Sequence, residues 1–261
     1  MNVTPGRILR AYSLCMAALF VIPIAVIIVI SFSGDSYLKF PPSSLSLKWF
    51  ERVISDAEWR KSLGLSAGIA FLSAIVSLST SAMAAYALSR GALGGKRVVL
   101  ALLMLPMIVP GVVAAVGMYF VSMKLGLVGN VVWVALCHSV VCAPPVLLIM
   151  LTTFRGIDLN LERAGYSLGS SRWGVMRRVT LPLALPGLIS GLFLAFLGSF
   201  DEFIVASFLM GTSGQTLPVK IFQSIVYEIQ PSIAAVSTII IAIVSLLVVV
   251  ERKVRRIVSS A

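Results

Sequence analysis

Charge is what this sequence has least of: only 12% of its 261 residues are Asp, Glu, Lys or Arg, and the acids number 10. Soluble domains carry about 25% charged residues, and a mean hydropathy of +1.02 lies well outside their range. Histidine occurs once, at His138, and cysteine three times, at Cys15, Cys137 and Cys142. An odd set of thiols inside apolar runs, with no CxxC pair and no metal-ligand spacing, excludes a disulfide framework and a zinc cluster. These cysteines read as small buried hydrophobes. No nucleophile with a nearby base is evident, so no catalytic residue and no metal ligand is expected. Residues 91–96 have the flavour of a phosphate loop, but the spacing is wrong and Arg97 stands where a hydroxyl would hold magnesium. The segment reads as a basic turn.

What the chain has in abundance is apolar length. Six stretches, 11–33, 63–88, 98–123, 130–153, 184–210 and 232–250, match the ~20 residues that a helix needs to cross a hydrocarbon core of ~30 Å. Backbone donors and acceptors must be satisfied internally in lipid, which selects helices. The expected fold is an all-α membrane protein with six transmembrane helices in one domain over residues 1–261. The first run is long and lacks a small-residue cleavage site, so it reads as a retained helix and not a signal peptide.

The formal charge of +11 sits in the loops, which argues against nucleic acid and instead sets orientation. With the N-terminus inside, fourteen of the 21 Lys and Arg residues fall on the cytoplasmic side and seven outside. Both termini are expected in the cytoplasm. The first outer loop places Trp49, Phe50, Val53 and Ile54 at helical spacing. This amphipathic helix is either a strut on the helix tops or a dock for a soluble partner.

The most polar cytoplasmic stretch, 154–182, is expected to hold a compact exposed helix. Asp158 or Asn160 can cap its start, and Gly169 can end it in a left-handed turn. Leu161, Ala164 and Leu168 then form a small apolar ridge. Ser170 or Ser171 can cap a second helix bearing Arg177 and Arg178, before Leu181-Pro182 turns the chain into the membrane.

This segment resembles the cytoplasmic signature of the permease family of bacterial ABC importers: Glu-Ala-Ala, three residues, Gly, nine residues, Ile, any residue, Leu-Pro. Aligned on Gly169, nine residues lead to Val179, Thr180, Leu181 and Pro182, and the front positions are Arg163, Ala164 and Gly165. Arg163 stands where the family has its acid, with Glu162 one residue earlier. The likeness looks nearest to the spermidine/putrescine-type subfamily, through 181–186, Ser199-Phe200-Asp201-Glu202 and 217–221.

The resemblance implies a type I importer permease of the bacterial inner membrane, most simply for polyamines, with an opine, an amino-acid derivative or a betaine as alternative solutes. It implies a second, different permease subunit, a periplasmic solute-binding protein, and two ATP-binding subunits that hold the ATP and Mg2+. It also implies a cytoplasmic coupling helix, on which Glu162, Arg163, Ala164, Gly165, Leu168 and Gly169, with Leu181 and Pro182, would meet the ATPase.

Asp201 and Glu202 fall inside the fifth span, where an acid costs at least ~2.5 kcal/mol. Neighbours on one helix point about 100° apart, so one acid could line a pathway and the other pair with a partner subunit. A cationic solute would find a carboxylate useful, with Phe200 and Phe203 beside it. His138 reads as a packing residue or a proton relay. Pro106 and Pro110 in the third span, and Pro144-Pro145 in the fourth, are expected to break or kink their helices. Gly64/Gly68, Gly187/Gly191 and the Ser73, Ser77, Ser81 stripe would permit close helix contact. Two further readings compete with the importer permease. A membrane enzyme would have to use Asp201, Glu202 and His138, and a stand-alone secondary transporter would leave the docking loop unexplained.

Overall fold

The computed structural model describes residues 5–92, 94–212, 214–227 and 230–260, and within them nothing is strand beyond one antiparallel bridge between Ser33 and Leu45. The helices run in the order α1 (Pro5–Ser31), α2 (Lys48–Ser55), α3 (Ala57–Arg90), α4 (Lys96–Ile108), α5 (Gly111–Leu125), α6 (Val131–Gly156), α7 (Leu159–Ser167), α8 (Arg172–Val175), α9 (Leu181–Phe200), α10 (Ile204–Leu209), α11 (Leu217–Tyr227) and α12 (Ser232–Ser260). Five segments are long and apolar enough to cross a membrane, and α4 with α5 make a sixth if that bent pair is one span. The chain is therefore an all-helical, multi-pass membrane protein.

The backbone gathers into two compact units, Met1–Arg60 with Ile221–Leu247, and Lys61–Lys220 with Val248–Ala261. In the first unit α1 is exposed along its apolar length, as a helix facing lipid or another chain would be. The loop after it folds around Asp35, whose carboxylate accepts the Ser43 backbone N–H at 2.9 Å and the Ser33 hydroxyl at 3.0 Å. The Trp49 indole N–H donates to the Asp35 carbonyl at 3.1 Å, and Phe50 packs on Phe32 at 5.0 Å between ring centroids. Trp49 and Val53 are buried while Ile54 is exposed. The packed face of α2 is thus a strut within its own unit.

The second unit is built around α6. Its core joins Val146, Met150 and Phe154 of α6 to Ala85 and Leu88 of α3 and to Ala184 and Ala195 of α9. Close approach of α6 and α9 depends on Gly187 and Gly191: a β-carbon at Gly187 would collide with Thr153, and one at Gly191 would press on Leu78 and Val146. A β-carbon built at Gly64 or Gly68 of α3 would meet nothing within 4 Å, so the expected close contact at that pair is not made among the described residues. Ser81 of the serine stripe donates across to the Ala143 carbonyl of α6 at 3.1 Å.

Two proline expectations part company. The third span breaks between Pro106 and Pro110, where α4 stops at Ile108, α5 restarts at Gly111, and the axes differ by 97°. By contrast α6 continues as one helix through Pro144 and Pro145. Leu181-Pro182 does not turn the chain either. Residues 172–200 are helical without interruption, and Pro182 follows directly on a π-helical turn at Met176–Thr180, whose wider hydrogen-bond pattern shifts the ladder just where the proline has no N–H to give.

Candidate functional sites

The polar loop after α6 is held by one buried acid. Asp158 caps α7 by accepting the Asn160 N–H at 2.9 Å, which aims the following turn so that Glu162 points into the protein. There Glu162 Oε1 receives the Arg90 Nε–H at 3.1 Å and the Thr180 hydroxyl at 3.1 Å. Arg90 also donates to the Ile157 carbonyl at 3.0 Å. One carboxylate therefore fastens α7 to the end of α3 and to the π-helical turn. The side chains of Arg90 and Glu162 are 11% and 6% exposed, so removing either would strand the other charge away from water.

Around this pin the other residues of the resemblance separate by role. Gly165 fits against Val175, whose methyl lies 3.0 Å from where a β-carbon would stand. Gly169 has φ +81°, the left-handed turn expected of it, and Ser171 caps α8 by accepting the Gly174 N–H at 3.1 Å. Arg163, Ala164, Leu161 and Leu168 face outward, as does Trp173. Leu168 is 86% exposed, which gives the expected ridge its apolar tip. Leu181 and Pro182 are exposed on the first turn of α9.

At the other end of α9 the two acids are not on one helix, which corrects the expectation of a 100° offset along a common axis. Helix α9 stops at Phe200, with the Asp201 N–H returned to the Leu197 carbonyl at 3.1 Å. Glu202 then folds back to accept the N–H groups of Val205 at 3.0 Å and Ala206 at 3.1 Å, filling the orphan donors of α10. Its other neighbour is His138, fully buried in α6, whose Nε2 lies 3.5 Å from Glu202 Oε2 and whose Nδ1 is 2.9 Å from the Ser199 hydroxyl. Asp201 is exposed and has no side-chain hydrogen bond or ion pair among the described residues. Phe200 stacks on Phe196 with centroids 5.8 Å apart, and Phe203 is half-buried. The insertion cost that the sequence assigns to both acids is thus met for Glu202 by backbone N–H groups, with His138 Nε2 beside it but not hydrogen-bonded, while the Asp201 carboxylate is left to whatever fills the space beside it.

Sequence reasoning missed Arg90 and Thr180, the two groups that grip Glu162. Arg90 lies 72 positions from its partner, and nothing local announces the pairing. Among the described residues no cluster of three metal-ligating side chains occurs.

Residues 79–259 match the family described as binding-protein-dependent transport system inner membrane component. The spermidine/putrescine transport system permease protein PotC of Haemophilus influenzae is 30% identical over 247 residues, covering 95% of this chain and 96% of that protein. The putrescine transport system permease protein PotI of Escherichia coli is 28% identical, covering 86% of this chain and 82% of its own length. Among solved structures, a bacterial ABC transporter involved in the import of the acidic polysaccharide alginate superposes with a TM-score of 0.70, at 18% identity, over 98% of both chains. That likeness is one of fold.

Proposed function

The chain belongs to the family of binding-protein-dependent transport system inner membrane components and is a permease component of an ABC importer, and from that premise we propose that it forms part of a polyamine pathway. The observation that supports this reading is the break between α9 and α10. It leaves Asp201 as an exposed carboxylate, unpaired among the described residues, at the end of an apolar helix, with Phe200 just before it and Phe203 two residues after it in the chain. A polyamine is a chain of ammonium groups on an alkyl backbone, so it can use a carboxylate for its charge and aromatic faces for cation–π contact and for its methylenes. Glu202, turned onto α10 and His138, shapes the wall instead of meeting the solute.

The α7 loop is the docking element in this proposal. Its ridge of Leu161, Ala164 and Leu168 would seat in a groove of a separate ATPase subunit that holds the ATP and Mg2+, with two such subunits per assembly. A second permease subunit and a periplasmic solute-binding protein complete the set. The family description supports a bacterial inner-membrane placement, and the charge asymmetry supports both termini cytoplasmic; residues 1–4 and 261 lie outside the described residues.

The test is uptake of radiolabelled spermidine and putrescine into vesicles carrying the reconstituted assembly, with ATP hydrolysis read in parallel. Both polyamines should stimulate hydrolysis and accumulate. Stimulation by a betaine, an opine or an amino-acid derivative, with none by polyamines, would overturn the solute class.

A further inference from the structure

The charge-free stretch of α12 ends in four cations, Arg252, Lys253, Arg255 and Arg256, and one acid, Glu251. The acid is already engaged: Ser190 of α9 donates to Glu251 Oε1 at 2.9 Å, and Arg255 Nε lies 3.6 Å from the same oxygen. Arg252 and Lys253 carry no ion pair among the described residues. The four cations line one concave surface of about 700 Å³ together with Pro186 and Val249. Its lining thus sets four cations beside apolar surface from Pro186 and the exposed Val249.

We infer that this groove holds an anionic phospholipid by its headgroup phosphate. Both halves of the surface match that ligand. Guanidinium and ammonium groups give charge-assisted hydrogen bonds to phosphate oxygens, and acyl carbons find Pro186 and Val249 in the same lining. The depth also fits, because Val249 belongs to the last apolar turn of α12 and Arg252 follows it by three residues, about 4.5 Å along the axis. Basic residues directly beyond a spanning helix meet the headgroup layer, where each favours anionic over neutral lipid. Free phosphate would satisfy the cations and leave Pro186 and Val249 unused. Ser190 fixes Glu251, and Glu251 in turn holds Arg255, so part of the lining is set before any lipid arrives.

The experiment uses the assembled complex carrying the full chain, in nanodiscs of equal phosphatidylcholine and phosphatidylglycerol, with lipids retained through delipidation counted by native mass spectrometry. The unaltered complex should retain phosphatidylglycerol in preference. Arg252→Gln with Lys253→Gln should lower that preference about thirtyfold, the loss of two cations near an anionic headgroup, whereas Arg252→Lys should keep it. Val249→Trp, which crowds the apolar part of the lining and spares every charge, should lower it as well. An unchanged preference in the double variant overturns the inference. So does displacement of the lipid by inorganic phosphate alone at matched concentration, which would make the groove a free-anion site. Uptake is not part of the readout, so failure here leaves the polyamine reading standing.

Discussion

Glu162-Arg163 on α7 and Asp201-Glu202 between α9 and α10 are both pairs of adjacent charged residues, and in both the structure turns one inward and the other out. At α7 the inward acid meets a side chain, Arg90, brought from a distant helix. At the α9 break it meets mostly backbone, the first N–H groups of the helix that follows it. The first arrangement ties three segments together, while the second closes a gap within one. In each pair the inward member is hydrogen-bonded inside the chain, and the exposed member, Arg163 or Asp201, is the one with something left to offer.

The contrast predicts unequal losses. Glu162→Ala should cost the most, about 3 kcal/mol, because Arg90 is left desolvated without its counter-charge, read as a fall in the unfolding temperature of the purified complex. Arg90→Gln combined with Glu162→Gln should cost less than the two single changes together, since no isolated charge remains. If Glu202→Gln proves as damaging as Glu162→Ala, the distinction between tying segments and closing a gap fails.

Next in size is Gly169→Val, which forces a β-branched side chain into a left-handed turn at about 1–2 kcal/mol. The expected outcome is ATP hydrolysis that no longer scales with solute transported. Normal coupling would remove Gly169 from any mechanical role.

Asp201→Asn sharpens the second pair. It should cut polyamine uptake while stability stays within about 0.5 kcal/mol, as for a surface change away from packed features. Glu202→Gln should instead lose about 1 kcal/mol through weakened capping of α10, with uptake reduced only as far as folded protein is reduced. Parallel uptake and unfolding measurements on the two variants separate the roles, and equal uptake losses at equal stability would merge them.

The smallest effect belongs to Asp35, outside the spans. The Ser43 backbone N–H, aided by the Ser33 hydroxyl and Lys39, holds its carboxyl below the ordinary value of 3.8. A depressed acid stabilises the fold above its unfolded pKa, and that contribution is lost as pH falls through the lower folded value. Asp35→Asn should therefore matter slightly at neutral pH and not at all in strong acid, measured as unfolding temperature against pH.

How much of this was legible beforehand varied with the range of the interaction. The apolar spans, the cap at Asp158, the turn at Gly169 and the break near Pro106 and Pro110 depend on neighbours within a few residues, and the sequence announces them. Asp201 and Glu202 look intramembrane for the same reason, since hydropathy continues past them to Leu209. What hydropathy does not reveal is that Glu202 supplies caps of its own and so allows the helix to stop. The Arg90–Glu162 pair and the contact of Gly187 with Thr153 depend on which helices pack together, and no spacing encodes that. Pro144-Pro145 misleads for the opposite reason: local stereochemistry forbids a regular hydrogen bond, yet a buried helix gripped along its length keeps its course.

The unbroken helical run of residues 172–200 has a kinematic consequence. At 1.5 Å per residue it is a shaft about 43 Å long, with Trp173 near one end and Asp201 just past the other. A hinge at Leu181-Pro182 would let the outer end swing without disturbing the inner one. Without that hinge, Trp173 and Asp201 belong to one rod, and Thr180 of the π-helical turn, hydrogen-bonded to Glu162, is a point at which that rod is fastened to the α7 loop.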